Sequence, residues 1–332
     1  MMIPLEVSRG PYTVGRVPDA VTTDRLETGQ SRTRLLQAAS GLIWTVVFAL
    51  AALLSIWMTD WLLASVMPQA TFARQVLALA AGAFAVSVAL PKPAGLPRAS
   101  GVGLALSKAG CRSGLFGLAL GCGLALFSIG VPWLTGAIAF ETTLPDTGIW
   151  SFGGLPEIPT AVILLVIAAF GEEALMRGYG LQQIARAITP SGAALAAGVF
   201  FGALHAENPS ADWVAVVNTS LFGLLFGFAV VRYRSLWPSI GMHLGWNLSL
   251  AILGANISGL RMGLTALRAT PVGSVLWTGG DYGPEASLVA TIAVLGAAVV
   301  VWKTPVPADD SPLIWDDVRP SKGGTKDSCD GS

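Results

Sequence analysis

Two histidines and an adjacent pair of carboxylates are the residues of this sequence best suited to chemistry. His205 and His243 are the only histidines, and both lie in strongly apolar stretches. Glu172 and Glu173 end another apolar stretch upstream of them. Ionisable side chains at membrane depth are costly and usually mark a functional site. Because carboxylates and imidazoles accept and donate protons, these residues predict a site for acid–base chemistry.

The spacing around the two carboxylates predicts different partners for them. On a helix, Glu172 and Glu173 point about 100° apart, so they cannot share one face. Glu173 and Arg177 are four residues apart with the acid first, an order that favours an ion pair on one face. Glu172 is then left to face another helix. The alternative is that both glutamates lie at a helix end in headgroup water.

Distance along the chain also relates the carboxylates to the first histidine. Glu173 lies sixteen residues before Thr189, and His205 lies sixteen residues after it. If an antiparallel helical hairpin turns at Thr189, both side chains lie about 24 Å from the turn and hence at the same depth. This prediction requires the first helix of the hairpin to continue past Arg177 through residues 180–186.

The second histidine has a polar neighbour on its own helix. His243 and Asn247 are four residues apart, which places the imidazole and the amide on one face, one turn apart. The alternative for each residue alone is a structural hydrogen bond between membrane helices. Their shared face, together with the predicted meeting of a glutamate and the other histidine, favours a site.

The elements that hold these residues are predicted to be membrane helices. The sequence is 53% hydrophobic and 12% charged, whereas soluble domains have roughly 25% charged residues. Apolar windows of about 19 residues mark membrane spans. Eight spans are predicted, at roughly residues 38–58, 74–90, 114–138, 160–180, 191–206, 213–231, 237–254 and 286–302. We therefore predict an all-α polytopic membrane protein with about eight transmembrane helices and its active site in a cavity between helices 4, 5 and 7.

The distribution of charge predicts orientation and partners. The second connection is basic and the third is acidic, with Lys92, Arg98, Lys108 and Arg112 in the former and Glu141, Asp146 and Glu157 in the latter. The positive-inside rule then places both termini in the cytoplasm, although Arg261 and Arg268 weaken the pattern. We expect an integral protein of the plasma (inner) membrane, with the lipid bilayer as a partner. The formal net charge of zero gives no reason to expect nucleic acid.

The polar ends of the chain flank this membrane region. We predict a polar N-terminal segment at residues 1–36, a transmembrane domain at residues 37–303, and a disordered C-terminal tail at residues 304–332. The tail is rich in Pro, Asp, Gly and Ser, a composition that cannot bury enough apolar surface to order itself.

Three short motifs on successive apolar segments resemble a known family. They are Glu172-Glu173-Ala174-Leu175-Met176-Arg177, Phe201-Gly202-Ala203-Leu204-His205 and His243-Leu244-Gly245-Trp246-Asn247. Their order is similar to that in the CAAX-prenyl-protease and bacteriocin-processing (CPBP, abortive-infection-type) family of intramembrane proteases. The resemblance covers about residues 160–254, which would be the protease core, and Gly279-Gly280-Asp281-Tyr282-Gly283-Pro284-Glu285 is also similar to family members.

The resemblance implies hydrolysis of a peptide bond in a membrane-associated peptide or protein. Such a reaction needs an activated water, an oxyanion stabiliser and a proton for the leaving amine. In the preferred mechanism Glu172 is the general base and shares the water with His205. His243 and Asn247 donate hydrogen bonds to the oxyanion.

Three further residues have supporting roles in this scheme. Glu173 and Arg177 hold the architecture, and Phe201 belongs to the second motif.

A zinc site is the main alternative within this chemistry. Glu172, His205 and His243 match the ligand types of a catalytic zinc with an open position, and family members are often described as metalloproteases. The chain lacks the H-E-x-x-H pattern, and the three ligands would come from separate helices. The preferred mechanism therefore requires no cofactor, with Zn2+ kept as an alternative.

Two other classes of function are also compatible with these residues. A non-catalytic membrane scaffold or immunity-type protein could keep the same fold and bind a partner. A proton-coupled transporter would also place carboxylates and histidines at membrane depth. Transporters are often built from internal repeats around a midplane site, and the sequence shows no repeat.

Overall fold

The computed structural model describes residues 20–90, 101–143, 157–262 and 264–318, and it is mostly helical. Its helices are α1 (Ala20–Val66), α2 (Thr71–Ala89), α3 (Lys108–Leu134), α4 (Glu157–Arg177), α5 (Tyr179–Ala187), α6 (Pro190–Leu204), α7 (Trp213–Tyr233), α8 (Trp237–Leu253), α9 (Val275–Thr278) and α10 (Leu288–Lys303). Two 3-10 helices, Pro284–Ala286 and Ile314–Val318, precede and follow α10. The predicted helical membrane architecture is confirmed.

Four helical segments of the described residues are long and apolar enough to cross a membrane, and the chain is an integral membrane protein. They are Leu35–Val66, Lys108–Leu134, Ile158–Ala187 and Trp213–Tyr233. Three apolar helices are shorter: Thr71–Ser87, Pro190–Leu204 and Leu288–Lys303. Every predicted span overlaps a helix, but the count of eight crossings stays a prediction because the shorter helices do not reach the length of a full span.

Glycines on two helices allow the closest packing in the bundle. On α3, a Cβ atom at Gly117 or Gly121 would overlap the backbone carbonyl of Pro238 or Met242 on α8. On α8, Gly241 meets the α3 backbone in the same way. Small residues of this kind let membrane helices approach until their backbones touch. The contact fixes the depth and rotation of α8, which carries the third motif.

Two short antiparallel sheets connect the helices. Strand β1 (Ile138–Thr142) pairs with β4 (Leu267–Pro271), and β2 (Asn256–Ile257) pairs with β3 (Leu260–Arg261). The sequence analysis did not predict these strands, because each is too short to show a clear alternation of apolar and polar residues. The third span was also predicted to run to residue 138, but α3 ends at Leu134 and the backbone turns at Gly136 with φ +73°.

The fourth predicted span is interrupted where the hairpin model required continuity. Helix α4 ends at Arg177, and α5 begins at Tyr179 after Gly178, whose ψ of −121° is not helical. The turn at Thr189 is as predicted, because its side chain caps α6 by accepting from the backbone N–H of Gly192 at 3.0 Å. Residues 180–186 are helical as predicted, within α5, but the helix is interrupted at Gly178.

The prediction of disorder is wrong for residues 304–318, which pack against the bundle. Leu313 and Ile314 are fully buried, and Arg234 forms a bidentate ion pair with Asp316 at 3.1 and 2.5 Å. The composition of the tail did not indicate this packing, because only a few of its residues, among them Leu313 and Ile314, are buried apolar side chains. The remainder of the predicted tail, residues 319–332, lies outside the described residues.

Parts of two other predictions lie outside the described residues. For the N-terminal segment these are residues 1–19, and α1 already begins at Ala20. The orientation prediction uses the charges of Lys92, Arg98 and Asp146, which also lie outside them. The domain boundaries and the orientation stay predictions.

Candidate active site

Glu173 is the centre of a buried polar cluster. Its Oε1 atom accepts hydrogen bonds from Arg177 Nη1 at 2.8 Å and from His243 Nδ1 at 3.0 Å. Glu173 and Arg177 are fully buried, and the predicted ion pair between them is confirmed. Arg177 also donates from Nη2 to the carbonyl of Gly223 at 3.2 Å, and its guanidinium carbon lies 4.6 Å from the ring centroid of Phe201. The first and second motifs are therefore joined through Arg177.

His243 lies between the two glutamates, a position that the sequence did not predict. The ionised carboxylate of Glu173 can only accept, so Nδ1–H of His243 donates to it. The other ring nitrogen, Nε2, lies 3.9 Å from Oε2 of Glu172. The imidazole is 7% exposed and stacks on the ring of Phe226, with centroids 5.5 Å apart. His243 is thus held in one orientation, with Nε2 directed towards Glu172.

His205 forms its hydrogen bond within its own helix. It caps the end of α6, and its Nδ1–H donates to the carbonyl of Phe201 at 2.7 Å. Within the described residues no hydrogen bond or ion pair joins His205 to Glu173, and the equal depth of the two residues stays a prediction. With Nδ1 donating to Phe201, Nε2 is the ring nitrogen left to face the cavity.

One cavity collects the four residues predicted to be catalytic. Its volume is about 250 Å³, and Glu172, His205, His243 and Asn247 all line it. It lies between α4, α6 and α8, which correspond to the predicted fourth, fifth and seventh spans. Helices α2 and α7 and the loop at residues 256–262 complete its walls. Glu172 is the more accessible of the two motif glutamates, with 29% of its side chain exposed.

Glu285 also lines this cavity and was not among the predicted site residues. It is 4% exposed, and its Oε1 accepts from Trp246 Nε1 at 3.2 Å and from the backbone N–H of Ser258 at 3.1 Å. Its Oε2 is buried without a hydrogen-bond partner among the described residues. Burial raises the pKa of Glu285 to about 7. Glu285 therefore links α8, beside Asn247, to the loop that covers the cavity.

A signal for Glu285 was present in the sequence. The segment from Gly279 to Glu285 was recognised as similar to family members, and it places a carboxylate directly before an apolar span. Its partners Trp246 and Ser258 could not be recognised, because they lie 39 and 27 residues away along the chain.

The zinc alternative stays a prediction. Across residues 20–90, 101–143, 157–262 and 264–318, no group of three or more His, Cys, Asp or Glu side chains could hold a metal ion.

The site geometry agrees with a comparison to known protein families. Residues 154–249 match the model of a family described as type II CAAX prenyl endopeptidase Rce1-like. The predicted resemblance is confirmed. The match to this endopeptidase family covers all three motifs but under one third of the chain, and α1, α2 and α3 lie outside it.

A relative in Bacillus subtilis (strain 168) extends the similarity. It is described as uncharacterized protein YyaK and is 26% identical over 149 residues, which are 44% of this chain and 48% of the relative. The chain thus spans about half the length of the curated relative that it matches. The description of YyaK assigns no activity, so the functional argument depends on the site and on the family match.

Proposed function

We propose that this protein is an intramembrane endopeptidase that hydrolyses a peptide bond in a membrane-associated peptide or protein. The observation that carries the proposal is the single cavity that collects Glu172, His205, His243 and Asn247. The match of residues 154–249 to an endopeptidase family supports the same conclusion. The substrate reaches the site from the bilayer, and the basic connections favour a plasma (inner) membrane protein with both termini in the cytoplasm.

Glu172 is the proposed general base. Its partly exposed carboxylate can reach a water in the cavity, and Nε2 of His205 supplies the second acceptor that orients this water. As the water oxygen bonds to the substrate carbonyl carbon, Glu172 takes the proton. Glu172 then returns this proton to the leaving nitrogen as the carbon–nitrogen bond breaks. The same carboxyl group therefore serves both steps.

His243 and Asn247 are the proposed oxyanion donors. Because Nδ1–H of His243 is committed to Glu173, only Nε2 can reach the substrate, and Nε2 donates only when the ring is protonated. The role therefore requires the imidazolium form, oriented by Glu173, with the Asn247 amide as the second donor. Glu173 is a positioning residue in this scheme, held in turn by Arg177 and Phe201.

The proposed reaction needs no metal. Glu172 serves as the base and carries the proton to the leaving nitrogen, and His243 and Asn247 are the oxyanion donors. All three line the cavity, and Glu173 contacts His243. Since Glu172, His205 and His243 do not form a metal-binding group within the described residues, no step is assigned to zinc.

The experiment that tests the proposal compares membranes containing wild type, Glu172→Gln, His205→Ala or the control Glu207→Gln. Glu207 is an exposed glutamate two residues after His205, so its variant repeats the chemical change outside the cavity. New protein N-termini are labelled and identified by mass spectrometry. Wild type and Glu207→Gln should produce the same new N-termini, and the two site variants should lose them by about a hundredfold or more. Identical N-termini from wild type and both folded site variants would contradict the proposal and favour a scaffold.

A further inference from the structure

A second cavity lies between α6, α7 and α10, away from the candidate active site. Its volume is about 240 Å³, and its lining is apolar apart from Ser191. The lining side chains come from residues 191–194 of α6, 221–231 of α7 and 294–298 of α10, and we call this space the lateral groove. Among the described residues, the lateral groove and the catalytic cavity share no lining side chain.

Helix α6 runs antiparallel to α7 along the lateral groove. A Cβ atom at Gly198 would lie 2.9 Å from the Cα atom of Leu224, and a Cβ atom at Gly227 would lie 3.1 Å from the Cα atom of Ala194. Positions that decrease along α6 therefore meet positions that increase along α7. The first turn of α6, which carries Ser191, thus lies beside the last turns of α7.

Helix α10 runs parallel to α7. In the first turns of the two helices, Thr291 donates its hydroxyl to the side chain of Asn218 at 2.8 Å. In the last turns, the hydroxyl of Tyr233 donates to the carbonyl of Val301 at 2.9 Å. The C-terminal ends of α7 and α10 and the N-terminal end of α6 therefore come together at one end of the lateral groove.

The lateral groove extends over about one leaflet of a bilayer. Its first and last lining residues on α7, Leu221 and Val231, are about 15 Å apart along the helix axis, which is half of a hydrocarbon core about 30 Å thick. Val231 is close to the end of this membrane helix. There the exposed ring of Trp302 stacks on Phe228 of the groove, with centroids 6.2 Å apart. Because tryptophan favours the headgroup level, this end of the groove lies at the membrane surface.

Two exposed basic residues, Arg232 and Lys303, lie at the same end. Arg232 follows the last lining residue of α7, and Lys303 is the last residue of α10. The guanidinium of Arg232 lies 5.8 Å from the ring centroid of Tyr233, the residue that bonds to the end of α10. Neither basic residue forms an ion pair with an acidic side chain in the part of the chain that the structure describes. The surface end of the groove is therefore positively charged.

The apolar part of the lateral groove is suited to hydrocarbon rather than water. A buried water needs about two to four polar partners, and Ser191 is the one lining residue with a polar side chain. An empty groove would leave its lining atoms without dispersion contacts. For an integral membrane protein, the acyl chains of the bilayer are the hydrocarbon that is available to fill it.

We propose that the lateral groove binds an anionic phospholipid, with one acyl chain along α7 and the headgroup phosphate between Arg232 and Lys303. The Ser191 hydroxyl, at the same end, is a further donor to the lipid. A zwitterionic phospholipid has the same phosphate, but its ammonium group would lie near two cations. The site therefore prefers lipids with a net negative charge. This inference does not depend on the proposed peptidase function.

The first test removes the two charges. Purified protein is freed of lipid in detergent, and native mass spectrometry measures its binding of phosphatidylglycerol and of phosphatidylcholine with the same acyl chains. Two basic residues at a membrane surface should favour the anionic lipid about 30-fold. Arg232→Gln combined with Lys303→Gln should abolish this preference. The control, Lys108→Gln with Arg112→Gln, removes one Lys and one Arg at exposed positions of α3 and should keep it.

The second test fills the groove. Ala298→Phe places a ring between α7 and α10 and should weaken the binding of both lipids about tenfold or more, since exclusion of two methylene groups from an apolar site has this effect. The control Ala196→Phe makes the same change at an exposed alanine of α6 that does not line the groove, and should bind as wild type does.

Three results would overturn the proposal. They are equal binding of the two lipids by wild type, unchanged binding by folded Ala298→Phe, and displacement of phosphatidylglycerol by inorganic phosphate, which has no acyl chain. If Ala298→Phe does not fold, the charge variant and its control decide, because both changes lie at exposed positions. A preference that survives the loss of Arg232 and Lys303 would then refute the site.

Discussion

Replacement of Glu285 by glutamine should make the protein more stable at alkaline pH and leave its stability unchanged at acid pH. The carboxyl group is buried, and this burial raises its pKa from 4.5 to about 7. Between these two values the folded protein keeps a proton that the unfolded chain has released. Stability therefore falls as the pH rises from about 4.5 to about 7 and stays low above that range. The difference between the two pKa values corresponds to about 3 kcal/mol.

Glutamine should remove this penalty because it is neutral at every pH and keeps the acceptor oxygen. That oxygen can still accept from Trp246 and from the backbone of Ser258, as Oε1 of Glu285 does. The neighbouring titratable group, Tyr282, does not complicate the pH range, because burial raises its pKa above the ordinary value of 10.0. We therefore expect equal stability near pH 4.5 and an advantage of about 3 kcal/mol for Glu285→Gln at pH 8.

The assay is the free energy of unfolding in mixed detergent micelles between pH 4.5 and pH 8, followed by tryptophan fluorescence. The control is Glu207→Gln, which alters an exposed glutamate and should follow wild type at every pH. The same decline with pH in Glu285→Gln and in wild type would refute the reasoning, since the decline would then belong to another group.

Three further predictions concern the proposed oxyanion donor Asn247, the buried ion pair of Glu173 with Arg177, and the dependence of activity on metal. Asn247→Ala should lower kcat about a hundredfold with little change in KM, because it removes a hydrogen-bond donor that acts mainly on the oxyanion of the transition state. A change confined to KM would contradict the role of Asn247 as an oxyanion donor. Glu173→Gln should reduce the free energy of unfolding by about 3–5 kcal/mol, because it leaves the buried charge of Arg177 without its carboxylate. Chemical denaturation of wild type and variant measures this difference. An unchanged free energy of unfolding would mean that the ion pair of Glu173 with Arg177 does not stabilise the fold. Chelation followed by removal of the chelator should leave peptidase activity intact, and a loss restored by added zinc would contradict the metal-free mechanism.

Several features of this protein could be predicted from local sequence because their physical causes are local. Membrane character follows from hydropathy, and every predicted span overlaps a helix. The ion pair of Glu173 with Arg177 follows from the four-residue spacing on one helix face. The cap at Thr189 is equally local, since a hydroxyl followed by Pro190 favours the start of a helix. The order of the three motifs was enough to indicate the family.

The partners of the site residues were decided by tertiary structure. The spacing of residues along a helix specifies which of them share a face, but it does not specify which other helix that face contacts. The glycine contacts between α3 and α8 set the depth of α8. Glu173 meets His243, which is 70 residues away along the chain.

The same limit explains why the sequence analysis did not assign Glu285 and Phe72 to the site. Glu285 became part of the cavity only because its short 3-10 helix packs against α7, and Phe72 only because α2 packs against α4. No sequence pattern within either segment indicates which helix that segment packs against. The sequence by itself determined which groups are available for chemistry, and the packing of helices distant along the chain decided which of them meet.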